Sequence, residues 1–230
     1  MVTGFPGDWV RTFLGRMARG GRWLAVLALP LWLVALPAAA DEPPVVLVMG
    51  DSLSAAYGIE AQQGWVSLLQ QRLGGKAEVV NASISGETSS GGANRLPDLL
   101  GQHEPDIVLL ELGGNDGLRG LPPAQFEANM ADMIEVSQEA GAEVLLLGID
   151  IPPNYGQAYR DAFTGVYERL ADDYDLPLVP FLLDNVALED ELMQDDGIHP
   201  TAEAQPHILE NVWPQLATLL KRNGLQPAEN

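Results

Sequence analysis

Val45-Val46-Leu47-Val48-Met49-Gly50-Asp51-Ser52-Leu53 carries an unbroken apolar run straight into a small polar turn. A run this short and continuous suits a strand buried on both faces of a parallel sheet. Outward from it, similar β-branched or leucine-rich runs recur at residues 78–82, 107–112, 143–149 and 176–181. Helical spacing separates them: Trp65, Leu68, Leu69 and Leu73; Phe126, Met130, Met133 and Ile134; Phe163, Val166, Tyr167 and Leu170. A last stripe, Ile208, Val212, Leu216 and Leu219, predicts a helix over about 203–220, with Pro206 and Pro214 forcing a late start or a kink. Gly74-Gly75, Gly101 and Gly141 stand where helices should stop. Five strands alternating with helices predict an α/β domain built on a doubly wound parallel sheet. Residues 41–222 show no repeat, linker or second domain, and 223–230 read as a frayed, disordered tail.

Ligands of an open parallel sheet bind beyond the carboxyl ends of its strands. That rim collects Gly50-Asp51-Ser52, Ser83-Ile84-Ser85-Gly86, Gly113-Gly114-Asn115-Asp116-Gly117 and Asp195-Asp196-Gly197-Ile198-His199-Pro200. Ser52 by itself is the kind of residue that caps a helix. Ester cleavage by a serine needs a base, a group that orients the base, and donors for an oxyanion. Of three histidines, His103 falls at the opposite edge as a solvated loop residue, and His207 lies inside the last helix. His199 alone lies on the rim. Asp196, three residues earlier with Gly197 between, is spaced to reach one ring nitrogen while the other faces Ser52. Asp195 competes for that role, and either aspartate is a candidate cap for the following helix. The backbone N–H of Gly86 and the side-chain amide of Asn115 are candidate oxyanion donors, although each alone is ordinary turn chemistry.

The first forty residues read differently. Arg11, Arg16, Arg19 and Arg22 precede the apolar residues 24–36, and Pro37-Ala38-Ala39-Ala40 precedes Asp41-Glu42. These features describe a secretory signal peptide, 1–40, cut after Ala40; 13 apolar residues are short of the roughly 20 that span a membrane. Met17 offers a shorter alternative start. The mature chain would be periplasmic or secreted, with no stable membrane anchor. It would keep 8 Lys+Arg against 31 Asp+Glu, a net of −23, which repels nucleic acid. The absence of cysteine excludes disulfides, thiolate metal sites and a cysteine nucleophile. A Gly-x-Ser-x-Gly elbow and a His-Glu-x-x-His motif are both missing, and Ala77 after Gly74-Gly75-Lys76 disqualifies a phosphate loop.

Four ordered blocks carry a family resemblance: Gly50-Asp51-Ser52-Leu53; Gly86 at the end of residues 81–86; Gly113-Gly114-Asn115-Asp116; and Asp196-Gly197-Ile198-His199-Pro200. Together they resemble the SGNH/GDSL hydrolases over nearly all of residues 45–220. Runs 80–86, 111–120, 153–156 and 193–200 resemble the branch of bacterial periplasmic esterases that act as acyl thioesterases, lysophospholipases and arylesterases. The resemblance implies a flavodoxin-like three-layer α/β/α sandwich with a five-stranded parallel sheet. It implies Ser52 as nucleophile, His199 as base and then acid, and Asp196 as its orienting partner. Ser52, Gly86 and Asn115 would supply the oxyanion donors. Ala55-Ala56 stands where this branch often has Ala-Gly, which would narrow the acyl entrance slightly. No cofactor and no metal is expected. The expected partner is a small-molecule acyl ester or thioester, met by a monomer. Residues 117–123 with 151–155 are the expected acyl pocket, through Leu118, Leu121, Pro152 and Tyr155. A short-chain carbohydrate acetylesterase and a catalytically silent lipid- or glycan-binding relative are the alternative functions.

Overall fold

The computed structural model describes residues 43–225. The proposed signal peptide and residues 226–230 of the tail lie outside them. Five parallel strands, β1 (Val45–Gly50), β2 (Glu78–Asn81), β3 (Ile107–Glu111), β4 (Glu143–Leu147) and β5 (Leu178–Val179), stand in the order β2-β1-β3-β4-β5. The chain leaves β1 toward one edge and returns past it to β3, so the topological switch lies between β1 and β3. There Gly50 is the register partner of Glu111.

Val46, Leu47, Val48 and Met49 have no exposed surface, as do Ile107, Val108, Leu109 and Leu110 beside them. Each such side chain contributes roughly 1.5–3 kcal/mol on burial, so the two strands flanking the switch form the rigid centre. Helices α1 (Trp65–Leu73) and α6 (Gln205–Arg222) pack together, while α2 (Ser89–His103), α4 (Pro123–Glu139) and α5 (Gln157–Tyr174) pack as a second group. The short α3 (Gly114–Leu118) follows β3 directly. These are the three layers expected of the flavodoxin-like sandwich.

Local differences from the sequence reading have simple causes. β5 is two residues long because Pro177 and Pro180 flank it and cannot donate to a ladder. α2 runs through Gly101 and ends at His103, with Glu104 in the left-handed region at φ +43°. His103 is thus in the last helical turn, not a loop. α6 begins late, at Gln205, with Pro206 in its first turn where no N–H is missed. Asn223 to Leu225, assigned to the tail, are held: Gly224 turns at φ +81°, the Leu225 N–H donates to the Leu220 carbonyl at 2.9 Å, and Leu225 is buried.

Candidate active site

Beyond β1 the chain coils into a turn instead of a helix. The Ala55 N–H donates to the Asp51 carbonyl (3.0 Å) and the Tyr57 N–H to the Ser52 carbonyl (3.2 Å). Ser52 is half-buried here and caps nothing. Its Oγ lies 2.9 Å from His199 Nε2. His199 Nδ1 lies 2.6 Å from Asp196 Oδ2. A carboxylate only accepts, so Nδ1 carries the proton and Nε2 is left to accept from the Ser52 hydroxyl. Asp196 Oδ1 takes the N–H groups of Ile198 (2.9 Å) and His199 (3.0 Å), an Asx turn that Gly197 completes at φ +64°. Desolvation pushes the Asp196 carboxyl upward, but the bonds from the His199 ring, the His199 N–H and the Ile198 N–H outweigh it and bring it down to about 2. The competitor Asp195 is exposed, and neither aspartate caps α6, whose first turn follows Ala204 without a side-chain cap.

The two other rim loops converge on this pair. The Ile84 N–H donates to the Gly50 carbonyl (3.0 Å), drawing residues 83–86 against the end of β1. Gly86 has φ +82°, and its carbonyl accepts from Arg119 Nη2 at 3.0 Å, leaving its N–H unspent by that contact. Asn115, on α3, donates from Nδ2 to Asp51 Oδ2 at 3.0 Å. A buried latch ties the two loops. Ser89 Oγ donates to Asp116 Oδ1 (2.6 Å), the Ser89 N–H donates to Oδ2 (2.9 Å), and Asn129 Nδ2 donates to Ser89 Oγ (2.9 Å).

Three further residues bear on the site that sequence reasoning did not single out. Tyr57 lays its ring against His199, centroids 4.3 Å apart. Asp51 and Glu111 form a buried acidic pair behind the Ser52 turn. Burial pushes the Asp51 carboxyl up to about 6 against the pull of the Leu53 N–H and Asn115. Burial and then the Asp51 charge push Glu111 well above the ordinary carboxylate range. The available signal was a lone acid closing an otherwise apolar strand.

Leu118, Leu121, Pro152 and Tyr155 are all half-buried. Tyr155 Oη donates to the Leu118 carbonyl (2.6 Å) and Tyr159 Oη to the Leu121 carbonyl (2.7 Å), so the two expected pocket loops are stitched together. A shallow hollow of about 710 Å³ is lined by Tyr57, Gly58, Met193, Gln194, Asp195, Asp196 and Thr201. Ala56 adopts φ +58°, and a Cβ at Gly64 would lie 2.8 Å from its methyl. Its methyl is thus directed at Gly64.

Residues 48–205 match the family described as GDSL-like Lipase/Acylhydrolase. Esterase TesA of Pseudomonas aeruginosa is 54% identical over 178 residues, covering 76% of this chain and 89% of the relative. Thioesterase 1/protease 1/lysophospholipase L1 of Escherichia coli K12 is 47% identical, covering 84% and 93%. The solved structure of the psychrotrophic esterase EstA from Pseudoalteromonas sp., inhibited by monoethylphosphonate, superposes with a TM-score of 0.74 at 42% identity, covering 77% of this chain and 98% of that one. A match over that span, and relatives this similar across most of both chains, place the chain in the GDSL-like lipase/acylhydrolase family.

Proposed function

We propose that this protein is an exported, monomeric serine esterase that cleaves carboxylic esters and thioesters through Ser52, His199 and Asp196. The observation that carries the reading is the continuous line from Asp196 Oδ2 through both ring nitrogens of His199 to Ser52 Oγ, at 2.6 and 2.9 Å. His199 Nε2 takes the hydroxyl proton as Ser52 Oγ attacks the acyl carbon. The carbonyl oxygen becomes an oxyanion held by the N–H of Ser52, the N–H of Gly86 and the amide of Asn115. Collapse breaks the bond to the alcohol or thiol, which leaves with the proton from His199. Water then adds to the acyl-enzyme by the same route, with His199 as base and then acid, and frees the carboxylic acid. Asp196, held anionic near 2, stabilises the imidazolium at each stage.

The names carried by the relatives favour thioesters and lysophospholipids among the substrates, with aryl esters as the convenient assay. Export rests on residues 1–40, and amino-terminal sequencing of secreted protein should give Asp41 as the first residue. The decisive experiment compares wild type with Ser52→Ala on esters of graded acyl length, with fluorophosphonate labelling of both. Wild type should label and cleave medium and long chains, and Ser52→Ala should do neither. Turnover of acetyl esters alone favours a carbohydrate deacetylase. Failure to label at Ser52 favours a silent binding protein.

A further inference from the structure

Glu111 ends β3 at the centre of the sheet, and none of its surface is exposed. Its Oε2 accepts from Ser54 Oγ at 2.7 Å and from the Asp51 N–H at 3.1 Å, while among the described residues nothing hydrogen-bonds Oε1. Asp51, almost as buried, accepts from the Leu53 N–H through Oδ1 and from Asn115 Nδ2 through Oδ2, both at 3.0 Å. One connected set of contacts therefore runs from Glu111 through the nucleophile turn to the oxyanion amide. Two glycines make room for it. A Cβ at Gly50 would lie 2.5 Å from Glu111 Oε2, and one at Gly114 would lie 3.0 Å from Asp51 Oδ2. The acyl-transfer steps make no use of Glu111. A buried carboxyl is a costly choice on a strand whose other residues are all apolar.

We propose that Glu111 is a positioning residue that fixes the nucleophile turn through Ser54 and the Asp51 N–H and, by way of Asp51, aims the Asn115 amide. This rests on the roles given above to Ser52 and Asn115. The titratable groups facing the pair are Tyr167 on α5, with Asp116 acting on that tyrosine in turn, and His199 acting on Asp51 from its own loop. All but His199 are acids, so a single charge is tolerated, and it resides on Asp51, the partner with two donors of its own. Burial and the Asp51 charge push the Glu111 carboxyl well above the ordinary range, favouring its neutral form. Ionisation of Glu111 would set a second negative charge beneath the oxyanion and oppose the transition state.

The test measures kcat, KM and melting of wild type, Glu111→Gln, Glu111→Leu and Ser52→Ala on one short chromogenic ester from about pH 5 to about pH 10. Glutamine keeps an acceptor for Ser54 and Asp51 and cannot ionise. Wild type should lose kcat at alkaline pH; Glu111→Gln should keep its neutral-pH kcat within about threefold of wild type and lose that alkaline fall. Glu111→Leu should lower kcat about 10- to 100-fold with KM changed less than about twofold. Equal kcat losses in the two Glu111 variants, an alkaline fall that persists in Glu111→Gln, or a wild type without one overturns the inference. Should Glu111→Leu not melt cooperatively, the Glu111→Gln profile decides alone. A fully active Glu111→Leu beside an inactive Ser52→Ala overturns the Glu111 role only, whereas an active Ser52→Ala overturns the nucleophile instead.

Discussion

Asn115 spends one of its two amide hydrogens on Asp51, which leaves a single N–H with a fixed direction. A donor held that way gains most when charge develops on the acyl oxygen and little when a neutral substrate binds. Asn115→Ala should therefore lower kcat by about 10²- to 10³-fold with little change in KM, measured by steady-state kinetics on an aryl ester. Ala56 is the counterpart for stability. At φ +58° its Cβ crowds its own backbone, a conformation that costs an alanine roughly 1–2 kcal/mol. Glycine removes that strain and gives back part of it as unfolded-state entropy. Ala56→Gly should stabilise the fold by about 0.5–1 kcal/mol in urea unfolding, with kcat unchanged.

Among the elements, the hydrogen bond from Tyr155 to the Leu118 carbonyl joins the β4–α5 connection to the end of α3. An apolar surface shared by these two segments would be felt by the far end of an acyl chain and not by an acetyl group. Replacing Leu118 and Leu121 by serine should cut kcat/KM on octanoyl or longer esters at least about tenfold while acetyl esters change less than about twofold, since each buried methylene contributes about 0.8 kcal/mol. Equal losses would place the acyl chain elsewhere, with the hollow beside Tyr57 as the next surface to probe. The same scale shows what a sequence makes legible. Strands β1, β3 and β4 stood out because burial on both faces demands continuous apolar runs; the carboxyl ends of β1 and β3 located Ser52 and Asn115, while Gly86 and His199 follow the shorter β2 and β5. α2 was marked only by its presumed end, since Ser89-Ser90-Gly91-Gly92 and Pro97 are poor helix formers; Thr88 caps it and Leu96 and Leu100 anchor it by packing. Asp196 over Asp195 was a matter of turn geometry, settled by which carboxylate folds back onto the ring. Glu111 was visible as a letter but not as a neighbour, because its approach to Ser54 spans 57 residues of chain.

Across the whole molecule 32 acidic residues face 12 basic ones, yet two aspartates at the site depart from the ordinary range in opposite directions. Asp196, lowered from 3.8 to about 2, adds stability that is present above its unfolded value and is lost as pH falls toward 2. Asp51, raised from 3.8 to about 6, acts the other way. The folded chain holds the Asp51 proton more tightly than the unfolded chain, so stability declines as pH climbs from 3.8 to about 6 and then levels. At neutral pH the fold thus carries a buried charge that Asn115, the proposed oxyanion donor, hydrogen-bonds and the core does not want. Asp51→Asn keeps one acceptor oxygen, for the Leu53 N–H or for Asn115 but not both, while removing the ionisation. Thermal melts over about pH 4 to 8 should show the variant gaining on wild type as pH rises, by at most about 3 kcal/mol above pH 6, with the difference closing toward pH 4. The same preparations should lose kcat at neutral pH, because an amide at this position holds and polarises the Asn115 donor less well than a carboxylate does. A variant that melts below wild type at every pH would mean that the Asp51 charge is repaid by its donors and that activity here is not bought with stability.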